Sequence, residues 1–215
     1  MKRIILSGFR PFGDYPRNTT ELVAQTLHGT SIPGFEIQAI VFDATIPEEN
    51  RGVVLFQEAE LLGGQAVISL GMASEKTGFC IERVARNRIA NGKYCTAAQN
   101  NTPVDSQRRY NEEMFLGLEP WRLNDFRQSC KEMRIPVMPD SANAGGFCCN
   151  HLAYQARVAQ VNSRAWNNIP YIFIHIPCSP EAVPDMKEFH RQGKITMSVE
   201  KIIEGIHALI FSADL

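Results

Sequence analysis

Apolar positions recur along this chain with two periods, and the switches between them mark out strands and helices. Arg3 to Ser7 is rich in Ile and Leu and closes at Gly8, the pattern of a strand buried on both faces. After a loop through Asp14 and Pro16, Asn18-Thr19-Thr20-Glu21 offers an N-cap with an acid three residues on, and Leu22, Val23 and Leu27 follow at helical spacing. Phe35 to Phe42 begins in strict alternation and predicts a strand. Pro47-Glu48-Glu49 predicts the start of a helix running to about Leu62. Ala66 to Gly71 is a third strand. Between Met72 and Pro120 no period holds, and polar stretches such as Asn91-Gly92 and Asn100-Asn101-Thr102-Pro103 predict a long irregular insertion over one end of the sheet. Arg122 to Met133 reads as a helix, and Ile135 to Met138 as a short strand whose proline favours an edge. Cys148 to Val161 reads as a helix and Tyr171 to Ile176 as a strongly apolar strand. Ser198 to Phe211 places Val199, Ile202, Ile203, Ile206 and Ile210 on one helical face. Strands alternating with helices predict the α/β class: a three-layer α/β/α sandwich around a twisted, mostly parallel sheet. No linker, repeat or low-complexity tract interrupts residues 1–215, so a single domain is expected.

Composition narrows the function. With 22 Lys and Arg against 23 Asp and Glu, the formal net charge is −1, which lacks the basic excess that binding a phosphate backbone needs. No nucleic-acid partner is expected. No apolar run approaches the roughly 18–20 residues of a membrane span, so no membrane partner is expected either. The start, Met1-Lys2-Arg3-Ile4-Ile5-Leu6, has charges before an apolar run, but the run stops far short of the ~7–15 residues of a secretory signal. Six cysteines (Cys80, Cys95, Cys130, Cys148, Cys149 and Cys178) without such a signal read as thiols of a cytoplasmic protein rather than a disulfide framework.

In parallel sheets, sites form where loops leave the carboxyl ends of strands. The loop Ser141-Ala142-Asn143-Ala144-Gly145-Gly146-Phe147 leads into Cys148-Cys149-Asn150 at a helix start, where free amides and the helix dipole favour a thiolate. Neighbours on a helix point about 100° apart, so only one of the two thiols is expected to face a site. Both equally fit small buried apolar residues. His175 ends an apolar strand; it fits a core histidine, or a base beside that thiol. Glu82, among apolar neighbours, could orient an imidazole or be a solvated charge. Phe9 and Phe12, stiffened by Pro11, could grip a small flat group or belong to the core. Gly8 and Gly13 mimic a phosphate loop, but Asp14 stands where that loop requires lysine, which disfavours an anion site. His175-Ile176-Pro177-Cys178 and Cys149-Asn150-His151 look like metal-ligand clusters, yet positions i and i+3 of a strand face opposite ways, so no metal is expected.

Four motifs, in order and at suitable distances, resemble the pyroglutamyl peptidase I family, also called pyrrolidone-carboxylate peptidases. They are Gly8-Phe9-Arg10-Pro11-Phe12-Gly13 with Asn18; Gly71-Met72-Ala73 followed by Glu82-Arg83-Val84-Ala85-Arg86-Asn87; Ala144-Gly145-Gly146-Phe147-Cys148-Cys149-Asn150; and Phe173-Ile174-His175-Ile176-Pro177. The similarity covers nearly the whole chain. It implies a cysteine peptidase that removes an N-terminal pyroglutamate (5-oxoproline) from small peptides. Cys149 would be the nucleophile, His175 the base and then the acid, and Glu82 the group that orients His175. Phe9, Phe12, Asn18 and Met72 would bind substrate. The resemblance further implies no cofactor, a cytoplasmic enzyme, and a homo-oligomer, typically a tetramer. The chain departs from the family at Arg10, where an acid is usual, at Glu75-Lys76, where Gly-Arg is common, and at Lys93-Tyr94-Cys95-Thr96, which occupies the place of an Arg-Ile-Pro-Asp-Asn segment. A non-catalytic or altered-specificity relative that binds pyroglutamyl ends is the alternative these departures raise; another α/β hydrolase or a nucleoside-type phosphorylase would share the sheet.

Overall fold

The computed structural model describes residues 1–215. Strand β1 (Lys2–Phe9) leads through a loop to helix α1 (Thr19–Leu27), whose start is fixed by the Asn18 side chain accepting from the Thr20 amide. A two-residue β2 (Ser31–Ile32) turns into β3 (Phe35–Phe42). Helix α2 (Arg51–Leu62) begins later than the Pro47-Glu48-Glu49 pattern predicts, because Asn50 caps it by accepting from the Val53 amide; Gly63, at φ 66°, ends it. Strand β4 (Gly64–Met72) then enters the centre of the sheet.

The 72–120 insertion contains more order than its sequence predicts. It supplies β5 (Cys80–Ile81), the hairpin partners β6 (Val84–Arg86) and β7 (Glu113–Phe115), and a 3-10 turn that buries Trp121. Helix α3 (Leu123–Glu132) follows. The strand expected at Ile135 to Met138 is reduced to a single bridge between Phe79 and Val137, since Pro136 has no N–H to extend a ladder. Helix α4 (Cys148–Asn162), strand β8 (Tyr171–Ile176), a short α5 (Met186–Arg191) and α6 (Val199–Ser212) complete the chain, with Ser198 capping α6.

The main sheet has the order β2-β3-β1-β4-β8-β5, parallel through its four central strands and antiparallel at both edges. Stepping from β1 out to β3 and from β3 back to β4 reverses direction along the sheet, and right-handed crossovers then put α1 and α2 on opposite faces. Accordingly α1 and α3 pack with α6 on one side and α2 packs with α4 on the other. One continuous apolar core runs through sheet and helices. The central strands are parallel, so the carboxyl ends of β1, β4 and β8, at Phe9, Met72 and Ile176, open onto the same edge.

Candidate active site

His175 lies near the end of β8, in register with Gly71 of β4 on one side and Cys80 of β5 on the other. Continuing β5, the Glu82 amide donates to the Phe173 carbonyl at 3.0 Å, so sheet pairing itself carries the Glu82 side chain alongside His175. Its carboxylate is fully buried and meets Nδ1 of His175 at 2.7 Å. Accepting the Nδ1 proton leaves Nε2 as the free ring nitrogen.

Cys149 is the second residue of α4, where no side chain caps the helix and the first amides remain free. A methyl group added at Gly71 would stand 2.8 Å from Nε2 of His175 and 2.9 Å from Sγ of Cys149. Thiol and imidazole therefore converge above this glycine, where there is no room for a side chain. The order is carboxylate, imidazole, thiol. Asn150, fully buried, holds the helix start in place: it accepts from the Arg86 amide at 2.8 Å and donates to the carbonyls of Arg86 and Arg88.

Burial lowers the proton affinity of His175, but the Cys149 sulfur and the Glu82 carboxylate outweigh it and raise its pKa above the ordinary imidazole value. The Cys149 thiol is pushed well above its ordinary value by a hydrogen bond to Cys148 and by burial, with His175 pulling the other way. This imidazole is a strong acceptor for a proton that the sulfur releases reluctantly.

Above the pair opens a pocket of about 250 Å³ walled by Phe9, Phe12, Met72 and Phe147. Both cysteines border it, and Cys148 is also a member of the buried apolar core. Cys148 is the more buried of the two. Asn18 also borders the pocket, but its side chain is engaged internally. Oδ1 accepts from the amide and hydroxyl of Thr20, and Nδ2 donates to the Arg10 carbonyl, tying the aromatic loop to α1. The Met72 sulfur accepts from the amide and hydroxyl of Thr19. Arg10 points away and pairs with Asp43 at 3.2 Å, whereas Glu75 reaches the pocket rim. Cys178 sits in a small apolar cluster with Met72, Ala182, Val183 and Phe189. Tyr15 and Tyr94 line the pocket too, and neither stands out in the sequence as a site residue. Tyr94 falls in the stretch without periodicity, where its departure from the family pattern is the one available signal.

A family model described as pyroglutamyl peptidase matches residues 2–214. The chain belongs to the pyroglutamyl peptidase family. It is 31% identical over 187 residues to the pyrrolidone-carboxylate peptidase of Oceanobacillus iheyensis, across 83% of this chain and 85% of that one. To its counterpart from Bacillus mycoides it is 30% identical over 216 residues, across 98% and 92%. Among solved structures, the pyroglutamyl peptidase I of Bacillus amyloliquefaciens superposes with a TM-score of 0.80 at 21% identity, covering 100% of this chain and 95% of that one. The pyrrolidone carboxyl peptidase of Thermococcus litoralis gives 0.80 at 20% identity, covering 99% and 93%. These superpositions bear on the fold: the α/β architecture is that of the pyroglutamyl peptidases. No helix is long and apolar enough to cross a membrane.

Proposed function

We propose that this chain hydrolyses the amide bond after an N-terminal pyroglutamate, with Cys149 as nucleophile, His175 as general base and then general acid, and Glu82 orienting the imidazole. The observation that carries it is the convergence of Cys149 Sγ and His175 Nε2 over Gly71 while Glu82 holds the opposite ring nitrogen. His175 takes the thiol proton as the sulfur attacks the scissile carbonyl carbon. The oxyanion that forms lies toward the free amides of the α4 start, and His175 returns the proton to the departing amine. Water, deprotonated by the same imidazole, then cleaves the thioester.

A pyroglutamyl residue carries no charged amine, so it suits a pocket of aromatic and sulfur side chains. In this scheme Phe9, Phe12 and Met72 contact the lactam ring, and Asn18 serves substrate binding by bracing the Phe12 loop. The unit of function is a single domain over residues 1–215. A homotetrameric assembly and a cytoplasmic location are part of the proposal by resemblance to the family. The chemistry calls on no group beyond these side chains and water.

Incubation with a pyroglutamyl amide and a prolyl amide tests this. Release from the pyroglutamyl compound alone is expected, and Cys149→Ser should lower it by about 10⁴-fold or more. Cys148→Ser should keep most of it. Release from neither amide defeats the peptidase assignment, and equal loss in the two serine variants reassigns the nucleophile.

A further inference from the structure

We infer that Tyr94 is a specificity-determining residue that completes the pocket for the substrate's N-terminal ring. This rests on the peptidase assignment above and adds a residue to it.

Three rings meet in mutual contact at the pocket. Tyr94 lies 5.5 Å from Phe12, edge to face, and 5.4 Å from Phe147, while Phe12 and Phe147 are 6.4 Å apart. The two phenylalanines belong to different loops, one following β1 and the other preceding α4, and the Tyr94 ring bridges them. Tyr94 is built in rather than draped over the opening. The segment that carries it is tied down by the Ala90 amide donating to the Gly146 carbonyl at 2.8 Å, and Gly146 has no room for a side chain because a Cβ would lie 2.5 Å from the Ala90 carbonyl oxygen. The Tyr94 ring also rests against Gly13, whose φ of +56° suits glycine, and a Cβ there would stand 3.0 Å from both Cε1 and the hydroxyl of Tyr94. Lys93 covers the ring with its ammonium 4.9 Å from the centroid.

Seated this way, Tyr94 adds a flat, uncharged face to the pocket mouth. A lactam is flat and uncharged, and packs against such a ring without leaving a charge desolvated. Tyr94 therefore acts on ground-state binding of the ring and stands apart from proton transfer between Cys149 and His175.

The test measures KM and kcat for a pyroglutamyl amide, and, by calorimetry, binding of 2-pyrrolidone, the bare lactam ring, to the wild type, Tyr94→Ala and Tyr94→Phe. Each variant is first checked for an unchanged thermal melt. Loss of the ring should raise KM and the 2-pyrrolidone Kd by about tenfold while kcat stays within about twofold. Tyr94→Phe, which keeps the ring, should return both toward wild type. Wild-type KM and Kd in Tyr94→Ala would overturn the inference, as would a loss confined to kcat. Lactam binding that depends on Tyr94 in a protein that hydrolyses nothing would uphold Tyr94 and defeat the peptidase assignment. Failure of the wild type to bind 2-pyrrolidone while it still releases the pyroglutamyl amide would overturn the inference about Tyr94 and leave the peptidase assignment standing.

Discussion

At the base of the pocket the hydrogen bond between Cys149 and Cys148, together with burial, keeps the proton on the Cys149 sulfur, while His175 draws it off. A hydrogen bond donated by the neutral thiol disfavours ionisation, so removing its acceptor should make the thiolate easier to form. Cys148→Ala is therefore expected to shift the acid limb of the pH–rate profile to lower pH, and the pH dependence of iodoacetamide alkylation should move the same way. Coincident profiles for wild type and variant would show that Cys148 has no hold on the proton. This neighbour effect is invisible in the sequence. Helical spacing separates the directions of two adjacent side chains but says nothing of how one thiol biases the proton of the next. Cys149 and His175 are legible individually at a helix start and a strand end, and Glu82 as an acid among apolar neighbours, but their convergence comes from sheet register, which pairs Gly71 with His175 and aligns β5 beside β8. Asn18 illustrates the opposite limit: its position beside the pocket is legible, while its full internal engagement depends on contacts with Thr20 and Arg10.

The element that presents Cys149 is held by a close crossing of two helices. Gly52, in the first turn of α2, lies against α4 so tightly that an added Cβ would sit 2.2 Å from the carbonyl carbon of Gln155 and 2.4 Å from the amide nitrogen of Ala156. Backbone on the far side cannot swing away as a side-chain tip would. Gly52→Ala should therefore force the helices apart and destabilise the protein by about 1–3 kcal/mol or more. Gly92→Ala, whose Cβ would meet nothing nearer than the side-chain Nδ2 of Asn100 at 3.6 Å, should stay within roughly 0.5 kcal/mol. Urea unfolding of both variants checks this, and similar midpoints for the two would mean that the α2–α4 crossing is looser than the geometry implies. The long elements are the ones that sequence periodicity reveals: β1, β4 and β8 bury continuous runs, α6 buries a helical stripe, and β3 shows itself by alternation although most of it is half-buried. The insertion escapes because β5, β6 and β7 are two or three residues long and gain their order from partners elsewhere, too short for any period to register. The six-residue α5 escapes for the same reason.

At the scale of the whole molecule, one buried histidine outside the pocket shapes the response of stability to acid. His151, in α4, is nearly inaccessible; burial, and then the charge of Arg51, lower its pKa to about 4. In the unfolded chain an imidazole titrates near 6.5. As pH falls below that value the unfolded state takes up a proton that the folded state refuses until about pH 4, so stability declines through this window. The total is on the order of 3 kcal/mol. His151→Gln isolates this contribution. Glutamine has similar bulk and no titration, so between pH 6.5 and 4 the variant should lose less stability than wild type, while above pH 7 the two curves run parallel. Unfolding free energies from urea titrations at half-unit pH steps measure this, and curves that run parallel through the acid window as well would rule out His151 as its source.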